Sequence, residues 1–166
     1  MGKRPGVRRR GRGGMQFRAA TTQKLKPAKY PSFSLDEERK GEIIDLVHES
    51  GRDVPLSKVR FEDGAISFIP APLGTKVGQR ISFGLNSEII DGNVISIQNI
   101  PDGTIVCNVE KQFGDGGSFI KTAGADATVF SHADDGVILK LASGKFKKLN
   151  PKNRAMIGTL AGGGVE

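Results

Sequence analysis

The chain has 166 residues, a formal net charge of +7, 23 glycines and a single cysteine, Cys107. This length allows one domain of ordinary size or two small ones, and the many glycines favour short strands and turns over a helical bundle. A single cysteine excludes an internal disulfide framework. Because the chain has no long apolar run, we expect no membrane span and no secretory signal.

Charge is segregated along the chain. Residues 1–30 contain ten Lys or Arg and no Asp or Glu, whereas residues 31–166 contain fifteen Lys or Arg and eighteen Asp or Glu. A cationic arm on a weakly acidic body is typical of polyanion binders. Segment 1–36 has few aliphatic residues to offset its ordering entropy, so we expect an extended arm that orders against a partner. Phe17, Tyr30 and Phe33 suit stacking on bases or docking on the body.

Short strands are predicted after the arm. Apolar alternation indicates strands at 42–47, 80–85 and 104–110, and a hairpin at 57–69 with Asp63-Gly64 in a tight type I′ turn. Residues 91–103 are rich in turn-forming residues, and we expect a loop there. Five strands with no convincing long helix indicate a small barrel.

A second set of strands follows a polar, glycine-rich stretch. Residues 112–118, QFGDGGS, predict a linker. Strands are expected at 127–132, 137–141, 145–149 and 155–160, with turns at Asp135-Gly136 and Ser143-Gly144. We therefore predict an all-β fold of two small barrels in tandem behind an extended basic arm.

Two groups of cationic residues are candidate nucleic-acid contacts, because cations that neutralise phosphates release counterions and arginine forks bind phosphate in bidentate fashion. In the arm they are Lys3, Arg4, Arg8, Arg9, Arg10, Arg12 and Arg18. In an acid-free stretch near the end they are Lys140, Lys145, Lys147, Lys148, Lys152 and Arg154. The alternatives are a solvated tail or localisation signal for the arm, and protection of an exposed sheet edge for the lysines.

Motifs for small-molecule chemistry are weak. Gly144-Lys145 is followed by Phe146 where a phosphate-binding loop needs Ser or Thr. His48 and His132 have no ligand-like spacing, and Cys107 in a predicted strand is typical of a small core residue. We predict no enzyme, no cofactor, no metal and no small-molecule substrate. A hydrolase using Cys107 and a histidine is the alternative from another functional class.

Residues 92–110, GNVISIQNIPDGTIVCNVE, resemble a signature of the second universal protein family of the large ribosomal subunit. Three further stretches are similar to the family in the same order, namely 114–117 (GDGG), 121–124 (KTAG) and 142–164 (ASGKFKKLNPKNRAMIGTLAGGG). The opening GKRPGVRRRGRGG is similar to the archaeal and eukaryotic branch. Four ordered motifs between residues 2 and 164 are not accounted for by chance.

The resemblance implies an oligonucleotide-binding-type barrel at 37–111 and an SH3-like barrel at 112–166. It implies a structural role in the large subunit, with binding to ribosomal RNA near the peptidyl transferase centre, contacts to neighbouring ribosomal proteins, and support of subunit association and active-site assembly. The implied location is cytoplasmic and ribosome-associated. The remaining alternative is a free translation factor or RNA chaperone made of two small barrels, although a factor that cycles on and off has no need of a threading arm.

The resemblance also implies RNA contacts from the arginines of the arm, from Gly114, Gly116 and Gly117, and from Lys121 and Arg154. Lys121 stands where members often carry arginine, and it keeps the charge but loses the guanidinium fork. Residues 65–69, AISFI, are not basic as they often are in the family, which leaves a contact there without support. Members continue into a basic C-terminal segment rich in glycine and histidine that reaches toward the catalytic RNA. Either this sequence is shortened, or the function of that segment is absent here.

Overall fold

The structure, a computed structural model, describes residues 2–3, 5–7, 14–18, 24–32, 38–85 and 87–164. Regular structure in these ranges includes ten β-strands and single turns of 3₁₀ helix at Met15–Phe17 and Ile97–Asn99. The strands are β1 (Arg39–Val47), β2 (Leu56–Phe61), β3 (Ile66–Pro70), β4 (Arg80–Gly84), β5 (Val94–Ser96), β6 (Ile105–Cys107), β7 (Ala127–Ala133), β8 (Gly136–Leu141), β9 (Phe146–Leu149) and β10 (Arg154–Ile157). The described part contains no α-helix, and the all-β prediction is confirmed. None of its helical turns has the length or apolarity that crossing a membrane requires.

All ten strands lie in one sheet, in the order β3-β2-β1-β4-β5-β10-β6-β7-β8-β9. Neighbours pair antiparallel, except that β4 and β5 are parallel. The last strand in sequence, β10, lies between β5 and β6 and pairs with both. It therefore joins the two halves of the sheet, which is a pairing that no local sequence pattern predicts.

The three central strands separate two groups of buried apolar residues. Val94, Cys107 and Met156 belong to the first group, together with β1–β4 residues such as Phe83. Their strand neighbours belong to the second group, namely Ile95, Val106, Ala155 and Ile157. Because successive side chains of a strand point to opposite faces, β5, β10 and β6 form a wall common to both groups. The predicted boundary at residues 111 and 112 does not coincide with the division between them.

The β2–β3 turn differs in type from the prediction. At the β2–β3 turn only Gly64 has a positive φ, at 80°, whereas a type I′ turn would require a positive φ at Asp63 as well. The Gly64 N–H donates to the Phe61 carbonyl at 2.9 Å, which gives a three-residue loop that ends in a left-handed glycine. Gly144 closes the β8–β9 turn in the same way, by donating to Leu141 at 2.8 Å. The places of both turns were right, and the type I′ turn predicted for Asp63-Gly64 was wrong.

Two further elements depart from expectation. Residues 91–103 contain strand β5 and a 3₁₀ turn where a loop was expected. Between β7 and β8, Ala133 pairs directly with Gly136, so the turn is Asp134-Asp135, one residue earlier than predicted. A Cβ atom on Gly136 would lie 2.7 Å from the Leu149 carbonyl oxygen. This glycine therefore serves the close approach of β9, and not the turn.

Part of the predicted arm is docked on the body. Ala28 forms a parallel bridge with Phe68, and Ala28 and Tyr30 are each 4% exposed. The Tyr30 N–H donates to Gly116 at 2.9 Å, and its hydroxyl donates to the Asn108 carbonyl at 2.5 Å. Residues 24–32 therefore dock on the body without RNA, because Tyr30 adds a large ring to the first apolar group. Of the two roles expected for Tyr30, it takes the docked one; Phe33 lies outside the described residues.

Candidate nucleic-acid interface

Strands β8 and β9 form a hairpin that carries exposed lysines. Lys147 pairs across the hairpin with Leu139, and Phe146 pairs with Lys140, so cations lie on both of its faces. Lys145 and Lys147 are exposed, and neither forms an ion pair with a described residue. Lys148 donates to the Asp135 carboxylate, which neutralises part of its charge. Lys152 is exposed in the turn before β10.

The glycine-rich stretch that the sequence predicts as a linker is an ordered loop in the structure. Asp115 stands at its centre and accepts hydrogen bonds from the backbone N–H groups of Lys111, Gln112 and Gly117 and from the Ser118 hydroxyl. Burial alone would raise the pKa of Asp115, but these hydrogen bonds to the ionised carboxylate lower it overall. The loop is thus fixed by its own carboxylate.

Two of the three candidate glycines are required by packing. Gly116 and Gly117 are buried at φ 81° and 87°. A Cβ on Gly116 would lie 2.8 Å from the Lys29 Cβ, and one on Gly117 would lie 2.5 Å from the Asn108 Oδ1. Gly114, at φ 85°, is exposed and has open space around it. Gly114 is therefore the member of this group whose surroundings leave room for an RNA backbone.

Lys121 connects the docked segment to the glycine-rich loop. Its Nζ donates to the carbonyl of Ala28 at 2.8 Å and to that of Gly117 at 2.9 Å. Burial lowers the pKa of Lys121, and the nearby cations Arg52 and Lys29 lower it further. Because an ammonium has three N–H donors, one donor remains for an external acceptor.

Arg154 departs furthest from its expected role. Its side chain is 3% exposed, and its guanidinium donates to Glu110 Oε1 through Nη2 at 2.6 Å and Nε at 3.1 Å. Nη1 donates to the Pro31 carbonyl at 3.2 Å, and Cζ lies 5.5 Å from the Tyr30 ring centroid. Arg154, which the sequence predicts as an RNA contact, is buried here, and its charge is neutralised inside the protein by Glu110. A local basic run gave no sign that β10 is buried on both faces.

The candidates for catalysis are not assembled. Cys107 is fully buried, and burial raises the pKa of its thiol to about 12, with Asp126 and Asp91 raising it further. It therefore stays protonated and is no nucleophile at neutral pH. His132 Nδ1 is hydrogen-bonded to Asp102 Oδ1 at 2.7 Å on the surface. In the described ranges no three or more His, Cys, Asp or Glu side chains are placed to hold a metal ion.

The arm is described in part. Lys3 and Arg18 are exposed. The other arm candidates lie outside the described residues, namely Arg4, Arg8, Arg9, Arg10 and Arg12.

Sequence reasoning missed an exposed aromatic pair. Phe130 and Phe146 are 54% and 56% exposed, and their ring centroids lie 4.9 Å apart. The available signal was Phe146 between Lys145 and Lys147, which is an apolar side chain in a run of cations.

Comparisons with known proteins agree with the resemblance seen in the sequence. Residues 90–166 match the family described as Ribosomal Proteins L2, C-terminal domain. The chain is 72% identical over 165 residues to the large ribosomal subunit protein uL2 of Cenarchaeum symbiosum and 71% identical over 166 residues to that of Nitrosopumilus maritimus. Identity to the uL2 protein of Sulfolobus acidocaldarius is 42% over 164 residues. Each of these matches covers 99% of this chain and 68% of the relative.

Proposed function

We propose that this chain, which belongs to the uL2 family of large ribosomal subunit proteins, binds large-subunit ribosomal RNA by charge neutralisation and shape recognition. Membership of this family confirms the predictions of a large-subunit ribosomal protein and of a structural protein, not an enzyme. The RNA contacts themselves are the proposal, together with a position near the peptidyl transferase centre.

The exposure of Lys145 and Lys147 is the observation that carries the proposal. These cations lie in a hairpin whose neighbouring sequence, from 137 to 160, contains no Asp or Glu. In contrast, Arg52 donates to Glu49, and Arg154 donates to Glu110. Exposed cations without an internal partner are available to neutralise phosphates.

The remaining proposed contacts lie in the N-terminal arm, in the glycine-rich loop, and in or near the hairpin. They are Lys3, Arg4, Arg8, Arg9, Arg10, Arg12 and Arg18 in the arm, Gly114 in the glycine-rich loop, and Lys121, Lys148 and Lys152. Gly116 and Gly117 contribute indirectly, because they allow the loop to pack closely against Lys29 and Asn108.

We also propose that the sheet is organised as an oligonucleotide-binding-type barrel at 37–111 and an SH3-like barrel at 112–166, behind the arm of 1–36. Two separate groups of buried apolar residues support the presence of two barrels, while residues from both sides of the boundary at 111 and 112 contribute to each group. Strands β5, β6 and β10 contribute to both barrels.

Neighbouring ribosomal proteins are proposed partners, and the proposed location is the large subunit of cytoplasmic ribosomes. The proposed role there is to support subunit association and active-site assembly.

Sedimentation of cell extract through a sucrose gradient distinguishes this proposal from a free translation factor or RNA chaperone. We expect the tagged chain to migrate with the large subunit and to remain there after a high-salt wash. A pool at the top of the gradient, or complete release by salt, would favour the factor.

A further inference from the structure

An exposed aromatic pair lies on the outer face of the β7–β9 sheet. The Phe130 and Phe146 rings meet at an interplanar angle of 63°, and more than half of each side chain is exposed. The interior of this half is supplied by other residues, including Val129, Leu139 and Leu149. The two rings are therefore not required to complete the apolar core.

Strand pairing places a cation beside the aromatic pair. Across four strands Ile105 pairs with Thr128, Thr128 with Lys140, and Lys140 with Phe146. Directly paired residues share a face of the sheet, so Lys140 and Phe146 are neighbours on it. Lys140 is exposed.

A β-bulge determines the position of Phe130. The β7–β8 register shifts between Val129 and Ser131, which leaves Phe130 as the extra residue of β7. Bulges re-aim a side chain, and they are frequent next to functional sites. Here the bulge places the Phe130 ring in an edge-to-face arrangement with the Phe146 ring and exposes it to solvent.

We propose that Phe130 and Phe146 form a stacking platform for an unpaired nucleotide of RNA, whose phosphate is neutralised by Lys140. This inference rests on the proposed function and names a subsite for it. Proteins hold single-stranded RNA by stacking its bases on exposed aromatic rings while cations follow its backbone. Phenylalanine has no hydrogen-bonding group, so the platform would accept any base.

Charge favours RNA over a protein partner as the occupant. The acid-free stretch from 137 to 160 supplies Lys140 and Lys148 to this face. Asp134 and Asp135 lie in the β7–β8 turn, away from the Lys140–Phe146 pair, and Asp126, which precedes β7, accepts a hydrogen bond from the Thr159 hydroxyl. Asp135 already accepts a hydrogen bond from Lys148.

A tryptophan probe tests the platform directly. The chain contains no tryptophan, so Phe146→Trp introduces a single indole while keeping an aromatic surface. We expect its fluorescence to be quenched on titration with a single-stranded oligonucleotide from large-subunit RNA, and to change little with a duplex of the same sequence.

Affinity measurements separate stacking from charge. Phe130→Leu and Phe146→Leu should weaken binding of the single strand by roughly five- to a hundredfold, because they remove base stacking. The slope of log affinity against log salt should stay unchanged in both variants. Lys140→Gln should make that slope shallower by about 0.7, the contribution of one phosphate in a single strand. Ile66→Ala is the matched control, because it removes an apolar side chain that is 41% exposed on β3.

Each outcome has a defined meaning. If the unaltered chain binds neither RNA, the proposed function fails. If it binds both and the two leucine variants bind equally well, the platform is overturned while the proposed function stands. If these variants keep RNA affinity but lose a neighbouring ribosomal protein from the subunit, the face binds protein and the platform is again overturned. If a leucine variant does not fold, Phe146→Trp quenching decides alone, and no quenching by the single strand overturns the platform.

Discussion

Asn108 is the residue on which the docked segment and the glycine-rich loop meet. It is fully buried at φ 45°, and its carbonyl accepts the Tyr30 hydroxyl. Its side-chain Oδ1 and Nδ2 have no hydrogen-bond partner among the described residues. Because Gly117 packs directly against this amide, there is no room there for a side chain.

Gly117→Ala and Gly114→Ala separate close packing from backbone strain. Both glycines have φ near 85°, so both substitutions carry the strain of a left-handed alanine, about 1 kcal/mol. Of the two, only Gly117 would bring its new Cβ within 3 Å of other atoms, namely Oδ1 of Asn108 at 2.5 Å and its Cγ at 2.9 Å. We expect Gly117→Ala to cost about 2–4 kcal/mol of unfolding free energy in urea, from this strain plus overpacking. Equal costs for the two variants would show that the loop relaxes around the added methyl group.

Arg154 should matter for stability and not for RNA affinity. Arg154→Ala would leave the Glu110 carboxylate buried and unpaired, which costs roughly 3–5 kcal/mol. Lys152→Ala, at an exposed site two residues earlier, should stay within about 0.5 kcal/mol of the unaltered protein. Thermal or urea unfolding measures both. An Arg154→Ala variant that folds normally and binds RNA weakly would instead support the predicted role of Arg154 as an RNA contact.

Acid should weaken the glycine-rich loop. The pKa of Asp115 is lowered in the folded protein, so its ionised form stabilises the fold. That contribution is present above the ordinary value of 3.8 and is lost as the pH falls through the lower folded pKa. Asp115→Asn should therefore be less stable than the unaltered protein at neutral pH and should lose less stability on acidification. Parallel stability curves for the two proteins would contradict this assignment.

At the scale of elements, local patterns predicted most strands but not the pairing of the central ones. The hairpins β2–β3 and β8–β9 follow from alternation and a nearby glycine, both of which are local signals. Strand β5 has only three residues, all buried, so alternation does not reveal it. The place of β10 depends on partners about 50 to 60 residues away in sequence. The burial of Arg154 was missed for the same reason.

The β8–β9 hairpin should supply RNA affinity without supporting the fold. We expect Lys145→Ala combined with Lys147→Ala to weaken binding to large-subunit RNA and to leave the melting temperature nearly unchanged, because both side chains are exposed. Lys40→Ala combined with Lys76→Ala removes the same charge from exposed sites elsewhere in the body and is the matched control. If both double variants lose affinity equally, net charge and not the hairpin is responsible.

For the whole molecule, the division into a cationic arm and a body was predictable, but the residue at which the arm ends and the body begins was not. Composition shows the charge change near residue 30, whereas packing fixes residues 24–32 to the body. Leu25 donates its N–H to Glu49 at 2.9 Å, and Tyr30 is buried in the first apolar group. A deletion that tests the arm alone should therefore end at residue 23. The wall common to the two groups of buried apolar residues was not predicted, because it requires long-range pairing.

The salt dependence of RNA binding tests the division of labour between arm and body. Residues 1–23 contain seven Lys or Arg and no acid. Removing them should make the slope of log affinity against log salt shallower by roughly 0.7 to 0.9 for each phosphate no longer neutralised. Affinity should fall for every RNA, while preference for the cognate large-subunit fragment over a scrambled duplex should largely remain, because phosphate contacts carry no sequence information. The measurement is a titration of the complete chain and of residues 24–166 against both RNAs at several salt concentrations. A full slope without the arm, or complete loss of preference, would mean that the arm itself recognises the RNA and that the body does not.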